Sequence, residues 1–135
     1  MTSTPAAATV FVCTSCKRRI GEGDGEDAFD RPGAGLATEL SARFSDDPAI
    51  SVVPVECLAV CKRPCTIAIT GADKWTYLIG DLDPALHIAE IDSGVRAYAA
   101  SGNGIVAWRE RPLTFRKGVV ARVPPLRFPL PEAAE

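Results

Sequence analysis

Ile50-Ser-Val-Val-Pro-Val-Glu-Cys57-Leu-Ala-Val-Cys61-Lys-Arg-Pro-Cys65-Thr-Ile-Ala-Ile-Thr70 reads as a strand, a cysteine-bearing loop and a second strand. The first part is β-branched and apolar and runs into Cys57. Pro54 has no N–H to give to a ladder, which puts that strand at a sheet edge or on a bulge. The remaining cysteines are Cys13 and Cys16, so all five lie in two tight groups. Cysteines that serve only packing would scatter. A C-x2-C and a C-x3-C pair each present two sulfurs to one centre. Crowded thiolates repel unless a cation or cluster neutralises them, so the pattern points to zinc or an iron–sulfur centre. Residues 17–56 must then fold back so that the two groups meet.

Working outward, Thr9-Val-Phe-Val12 is a short strand ending at Cys13. Residues 17–33 hold the acidic, glycine-rich run Gly21–Asp27 and read as a solvated loop. Leu36, Ala37, Leu40 and Phe44 make one apolar stripe of a helix over 34–45, which Asp46-Asp47-Pro48 ends. Thr66–Thr70 and Trp75–Ile79 form a hairpin through Gly71-Ala-Asp-Lys74, with Trp75 and Tyr77 on one core face. Asp83-Pro84 reads as the cap and first residue of a helix carrying Ile88, Ile91, Val95 and Tyr98, stopped by Ser101-Gly-Asn-Gly104. The order β–α–β–β–β–α opens with a βαβ crossover and closes with a hairpin and a helix. That is the thioredoxin-like α/β plan: a mixed four-stranded sheet flanked by helices. In it, both cysteine groups fall at one end of the sheet. Pro64, just before the third strand, is a candidate cis-proline.

The expected organisation is a leader over 1–8, the cysteine-bearing domain over 9–101, and a Pro/Arg-rich extension over 102–135 packing on it. Hydrophobic residues at 47% and charged residues at 24% suit one globular domain without disulfide staples. The N-terminus lacks a basic, apolar signal segment, and no stretch is long enough to span a membrane. A cytoplasmic protein with reduced thiols is expected. A net charge of −2 leaves no footprint for nucleic acid. No Ser-His-Asp set, phosphate loop or dinucleotide fingerprint is present, so no enzyme activity is expected.

Charge is uneven. Arg109, Arg111, Arg116, Lys117, Arg122 and Arg127 face Glu110 alone in residues 105–128, with Trp108, Phe115 and Phe128 between them. Two short strands, Gly104–Arg109 and Lys117–Val123, are expected there, with extended backbone from Pro124 onward. The segment either packs over the sheet with its arginines in solvent or docks an acidic partner. Lys17, Arg18, Lys62 and Arg63 flank the cysteines, either as solvated loop charges or as stabilisers of a more negative, reduced centre. His87, the sole histidine, is expected at the surface or as a helix cap.

These features resemble thioredoxin-like [2Fe-2S] ferredoxins, the group that includes the small cluster-bearing subunit of respiratory NADH dehydrogenase. The resemblance spans residues 9–100. It rests on the strand into Cys13, the helix near 34–45, Val53-Pro-Val-Glu-Cys57-Leu-Ala-Val-Cys61, and the hairpin with Tyr77. Closer still is an uncharacterised family of small bacterial cysteine-rich proteins described as metal-binding. Its strings stand here as Val12-Cys13-Thr-Ser-Cys16, Cys57 through Thr66, Tyr77-Leu-Ile-Gly-Asp-Leu82 and Glu110-Arg-Pro112. The resemblance implies a [2Fe-2S] cluster on Cys13, Cys16, Cys57 and Cys61. Cys65 is left as a neighbour of the cluster or as an alternative ligand to Cys16. It further implies a one-electron carrier serving a redox partner protein, with a homodimer left open. Two other readings use the same cysteines. One is a zinc or other metal-binding module. The other is a thiol–disulfide oxidoreductase working through Cys13 and Cys16.

Overall fold

Alternating apolar residues make β1 (Ala8–Cys13) the first strand of the sheet, with Ala8, Val10 and Val12 buried. The computed structural model describes residues 7–15, 17–19, 21–22, 25, 29–60 and 63–126. After β1, the expected loop contains a small ladder in which β2 (Arg18–Arg19) pairs antiparallel with β3 (Phe29–Asp30). Most of the acidic run between them, and residues 1–6 of the expected leader, lie outside the described residues. The helix α1 (Gly33–Arg43) buries Leu36, Ala37 and Leu40, and Phe44 closes it. β4 (Ile50–Val55), β5 (Ile67–Thr70) and β6 (Thr76–Ile79) follow as expected.

The sheet order is β4-β1-β5-β6-β7, so the class is thioredoxin-like α/β with five strands rather than four. β1 runs parallel to β4, in a register that pairs Cys13 with Val55. β1–β5, β5–β6 and β6–β7 are antiparallel. β4 is an edge strand, which accounts for its tolerance of Pro54. The fifth strand, β7 (Val119–Val123), comes from the second of the two strands expected in the C-terminal segment. The first of them does not form. Val106 gives its N–H to the Tyr77 hydroxyl (3.1 Å) and its carbonyl accepts from Arg111 Nε (2.9 Å), so side chains satisfy backbone groups that a ladder would have used. A 3₁₀ turn at Trp108–Glu110 and a short helix, α3 (Leu113–Lys117), occupy the stretch instead.

The last long helix, α2, spans Ile88–Ala100 and starts later than Asp83-Pro84 suggested. Asp83 Oδ1 accepts the Ala85 N–H (2.7 Å), and His87 Nδ1 accepts the Asp83 N–H (2.9 Å). These local bonds close a turn of their own and delay the helix. His87 is thus the residue immediately before α2, half-buried.

Ile91, Val95 and Tyr98 of α2 join Leu36 and Leu40 of α1, Phe115 of α3 and the sheet residues Val10, Val12, Ile67, Ile69, Tyr77 and Ile79 in one apolar cluster. Each large side chain so buried contributes about 1.5–3 kcal/mol of transfer free energy. Tyr77 and Tyr98 meet edge-to-face at 6.1 Å, and Tyr98 donates to the Trp75 carbonyl at 2.5 Å. Burial holds the Tyr98 hydroxyl well above the ordinary tyrosine value. Trp75 itself is only half-buried, and Arg122 of β7 stacks on it at 4.6 Å. Asp92 of α2 accepts from both Arg43 of α1 (2.5 Å) and Arg96 (2.6 Å), and Arg96 reaches Asp47 (3.1 Å). This network ties the two long helices together at the surface. Among the described residues no helix is long and apolar enough to cross a membrane.

Candidate metal centre

Because β1 and β4 are parallel neighbours, the loops that follow them leave the sheet at the same end. Cys13, the last residue of β1, is fully buried. Its N–H donates to the Thr66 carbonyl (3.0 Å), and its Sγ lies 3.7 Å from the Glu56 carbonyl. Thr14 gives both its N–H (2.9 Å) and its hydroxyl (3.0 Å) to the Val55 carbonyl. Ser15 gives its N–H (3.2 Å) and its hydroxyl to the Glu56 carbonyl. Four hydrogen bonds thus fasten the first cysteine loop to the two residues that lead into Cys57.

Cys57 is exposed, and its Sγ accepts the Ala59 N–H at 3.2 Å. Ala59 adopts φ +61, a conformation uncommon outside glycine, so the backbone here departs from ordinary geometry to close a tight turn around the sulfur. Arg63 continues the loop with its N–H on the Val60 carbonyl (3.1 Å). Its guanidinium pairs with Asp81 (2.8 Å) and reaches the Gly118 carbonyl (3.3 Å) at the end of α3. The Arg63 carbonyl accepts the Asp81 N–H (3.0 Å) and the Thr66 hydroxyl (3.0 Å). Arg63 is therefore a fastening residue as well as a positive charge. Asp81 gave no separate signal in the sequence, since its partner lies 18 residues away.

Cys65 is fully buried within the apolar cluster, and its backbone is bonded in both directions to Leu82 (3.2 and 3.0 Å). The cis peptide joins Pro64 to Cys65, one bond later than the Arg63–Pro64 link suspected from the sequence. Cys16, Cys61 and Lys62 lie outside the described residues, as do Arg127 and Phe128. Among the described residues no three Cys, His, Asp or Glu side chains converge on one point. His87 is engaged with Asp83, in the turn that precedes α2.

The chemistry of this end of the sheet suits a sulfur-bound metal or cluster. Cys13 is shielded from water, which protects a reducible centre. Cys57 sulfur is exposed and accepts a backbone N–H, so the turn already orients it. The first turn of α1 presses on the loop: a Cβ on Gly33 would stand 1.8 Å from the Cys13 carbonyl oxygen and 2.9 Å from Thr14 Cα. Helix N-termini favour negative charge nearby. Of the described cysteines, Cys13 ends β1 and Cys57 follows β4 by two residues, so both lie at this end of the sheet.

A thioredoxin-like frame with a cysteine-bearing loop at the end of its parallel strand pair is the class these observations define. Solved structures agree on the fold. A thioredoxin-like [2Fe-2S] ferredoxin from Aquifex aeolicus superposes with a TM-score of 0.54 at 18% identity, covering 91% of this chain and 99% of that one. A second structure of the wild-type ferredoxin gives 0.52 at 18% identity, covering 86% and 98%. A cysteine-to-serine variant gives 0.52 at 15% identity, covering 84% and 98%. The chain belongs to a family described as a protein of unknown function (DUF1636), whose model matches residues 10–125. No curated protein sequence matches it.

Proposed function

We propose that this protein is a cytoplasmic iron–sulfur electron carrier that holds a [2Fe-2S] cluster on Cys13, Cys16, Cys57 and Cys61 and exchanges single electrons with a larger partner enzyme. The observation that carries the reading is the fastening of the Cys13 loop to the Cys57 approach, through Thr14 and Ser15 on the Val55 and Glu56 carbonyls. The ferredoxin neighbours share the fold. When bound, the cluster supplies a site that gains or loses one electron without a bond being made to substrate. The chain's own residues do the rest. Buried Cys13 excludes water, Ala59 N–H supports the Cys57 sulfur, and Arg63 holds the second loop against Asp81. A thiol–disulfide exchanger is disfavoured, because an attacking sulfur must be reachable and Cys13 is fully buried.

A visible spectrum of anaerobically purified protein, with iron, sulfide and zinc assays, tests the reading. Red-brown protein with matched iron and sulfide supports it. Colourless protein with stoichiometric zinc overturns it in favour of a zinc module.

A further inference from the structure

The C-terminal segment carries a surface that fold and core do not account for. Trp108 is 60% exposed on its 3₁₀ turn, and two guanidiniums stack on its ring, Arg111 at 5.4 Å and Arg116 at 5.5 Å. Arg111 is also anchored from beneath by the Tyr77 hydroxyl (3.2 Å) and the Val106 carbonyl (2.9 Å), and Arg116 Nε donates to the Trp108 carbonyl (3.2 Å). The indole is therefore held rigid in the open, although an aromatic ring normally seeks burial. Leu113, 57% exposed, and Lys117 lie on the helix that carries Arg116. Arg109 is exposed and has no partner among the described residues.

The charge here opposes that of the whole. Residues 105–126 hold five basic side chains against Glu110, in a chain of net charge −2. A local positive face on an acidic protein orients encounter with a negative partner surface. Trp and Arg dominate the energetic centres of protein interfaces, and rings already fixed lose little entropy on docking. The surface also adjoins the second cysteine segment. The carbonyls of Lys117 and Gly118, at the end of α3, accept from Arg63 Nη2 at 3.5 and 3.3 Å. A partner seated on α3 would thus stand beside Arg63 of the second cysteine segment.

We propose that Trp108, with Arg109 next to it in the chain and Arg111 and Arg116 stacked on its ring, is the docking face for an acidic, apolar-centred surface of a protein electron-transfer partner. The assignment of that partner's class rests on the electron-carrier reading; the existence of the face does not.

The test uses full-length protein and a fluorescein-labelled peptide of alternating Glu and Leu, about eight residues long, read by anisotropy. Affinity should fall at least about tenfold as salt rises from about 20 to about 200 mM, since exposed charges act over a Debye length. Arg109→Glu with Arg116→Glu should weaken binding about tenfold and flatten that salt dependence. Trp108→Ala should weaken it about tenfold while the salt slope stays, as expected of a central apolar contact. Unchanged circular dichroism and melting show that the variants fold. Wild-type affinity in both variants would overturn the proposal. So would tighter binding to a short DNA duplex or to phosphatidylglycerol vesicles than to the peptide. Peptide binding is measured whether or not the protein is coloured, so failure of this face and failure of the cluster reading are separate results.

Discussion

Gly33 and Cys13 are in backbone contact: a methyl group at Gly33 would fall 1.8 Å from the Cys13 carbonyl oxygen and 2.8 Å from its carbonyl carbon. Neither obstacle is a side chain that could swing away. The start of α1 therefore sits on the first cysteine as closely as a peptide allows, and glycine is what permits it.

Gly33→Ala should force α1 and the Cys13 loop apart. The expected cost is about 2–3 kcal/mol or more, in the range of overpacked cores, with faster loss of any bound centre. Urea denaturation of the variant beside the wild type checks this. Gly35→Ala, where nothing lies within 4 Å of the added methyl, is the matched control and should be neutral or slightly stabilising.

Arg63→Ala removes the pair with Asp81 and the contacts to the end of α3. The pair is partly exposed, so the loss in global stability should be modest, about 1 kcal/mol. The local effect should be larger. Hydrogen exchange in residues 57–66 should speed up well before that in β1 or α2, because the loop loses the clamp that joins it to Asp81, beyond β6, and to the end of α3. Equal exchange in variant and wild type would show that the clamp does not hold the loop.

Serine replacements separate ligands from packing. Cys57→Ser and Cys61→Ser should each abolish stable cluster binding, since hydroxyls replace soft sulfur donors. Cys65→Ser should keep the colour but lower stability by about 1–3 kcal/mol, the cost of placing a hydroxyl in the apolar cluster. Absorbance and thermal melts distinguish the two. Bleaching by Cys65→Ser with colour retained in Cys16→Ser would move the fourth ligand to Cys65.

Asp92 gives an acid-side prediction. Burial raises its carboxyl, but hydrogen bonds from Arg43 and Arg96 outweigh that and hold it below the usual 3.8. A depressed folded value means that the stabilisation is present above the unfolded value and is lost as pH falls through the folded one. Asp92→Asn should cost about 1 kcal/mol at neutral pH, and the gap to wild type should close below about pH 4. Melting curves across pH 3–7 measure it.

Much of the fold was legible because it is written in local periodicity. The Leu36–Leu40–Phe44 stripe and the Ile91–Val95–Tyr98 stripe give α1 and α2, and alternating β-branched residues give β1, β4, β5 and β6. The clustering of Cys13 and Cys16 against Cys57, Cys61 and Cys65 pointed to one end of the sheet. What escaped was decided by long-range contacts. β7 became the fifth strand because β6 offered it an open edge, while residues 104–107 did not form a strand because Tyr77 and Arg111 took up the backbone groups of Val106. The Arg63–Asp81 clamp and the seat of Gly33 on Cys13 join residues that carry no joint signal along the chain, and the basic, aromatic segment around Trp108 was legible without the stacking of Arg111 and Arg116 on its ring. Sequence by itself determined which segments are helix or strand and which sulfurs are available, because those follow from side-chain chemistry and near neighbours. Tertiary structure decided which sulfur is buried, which arginine is a fastener and which indole stays in water, because burial depends on what the rest of the chain brings to each site.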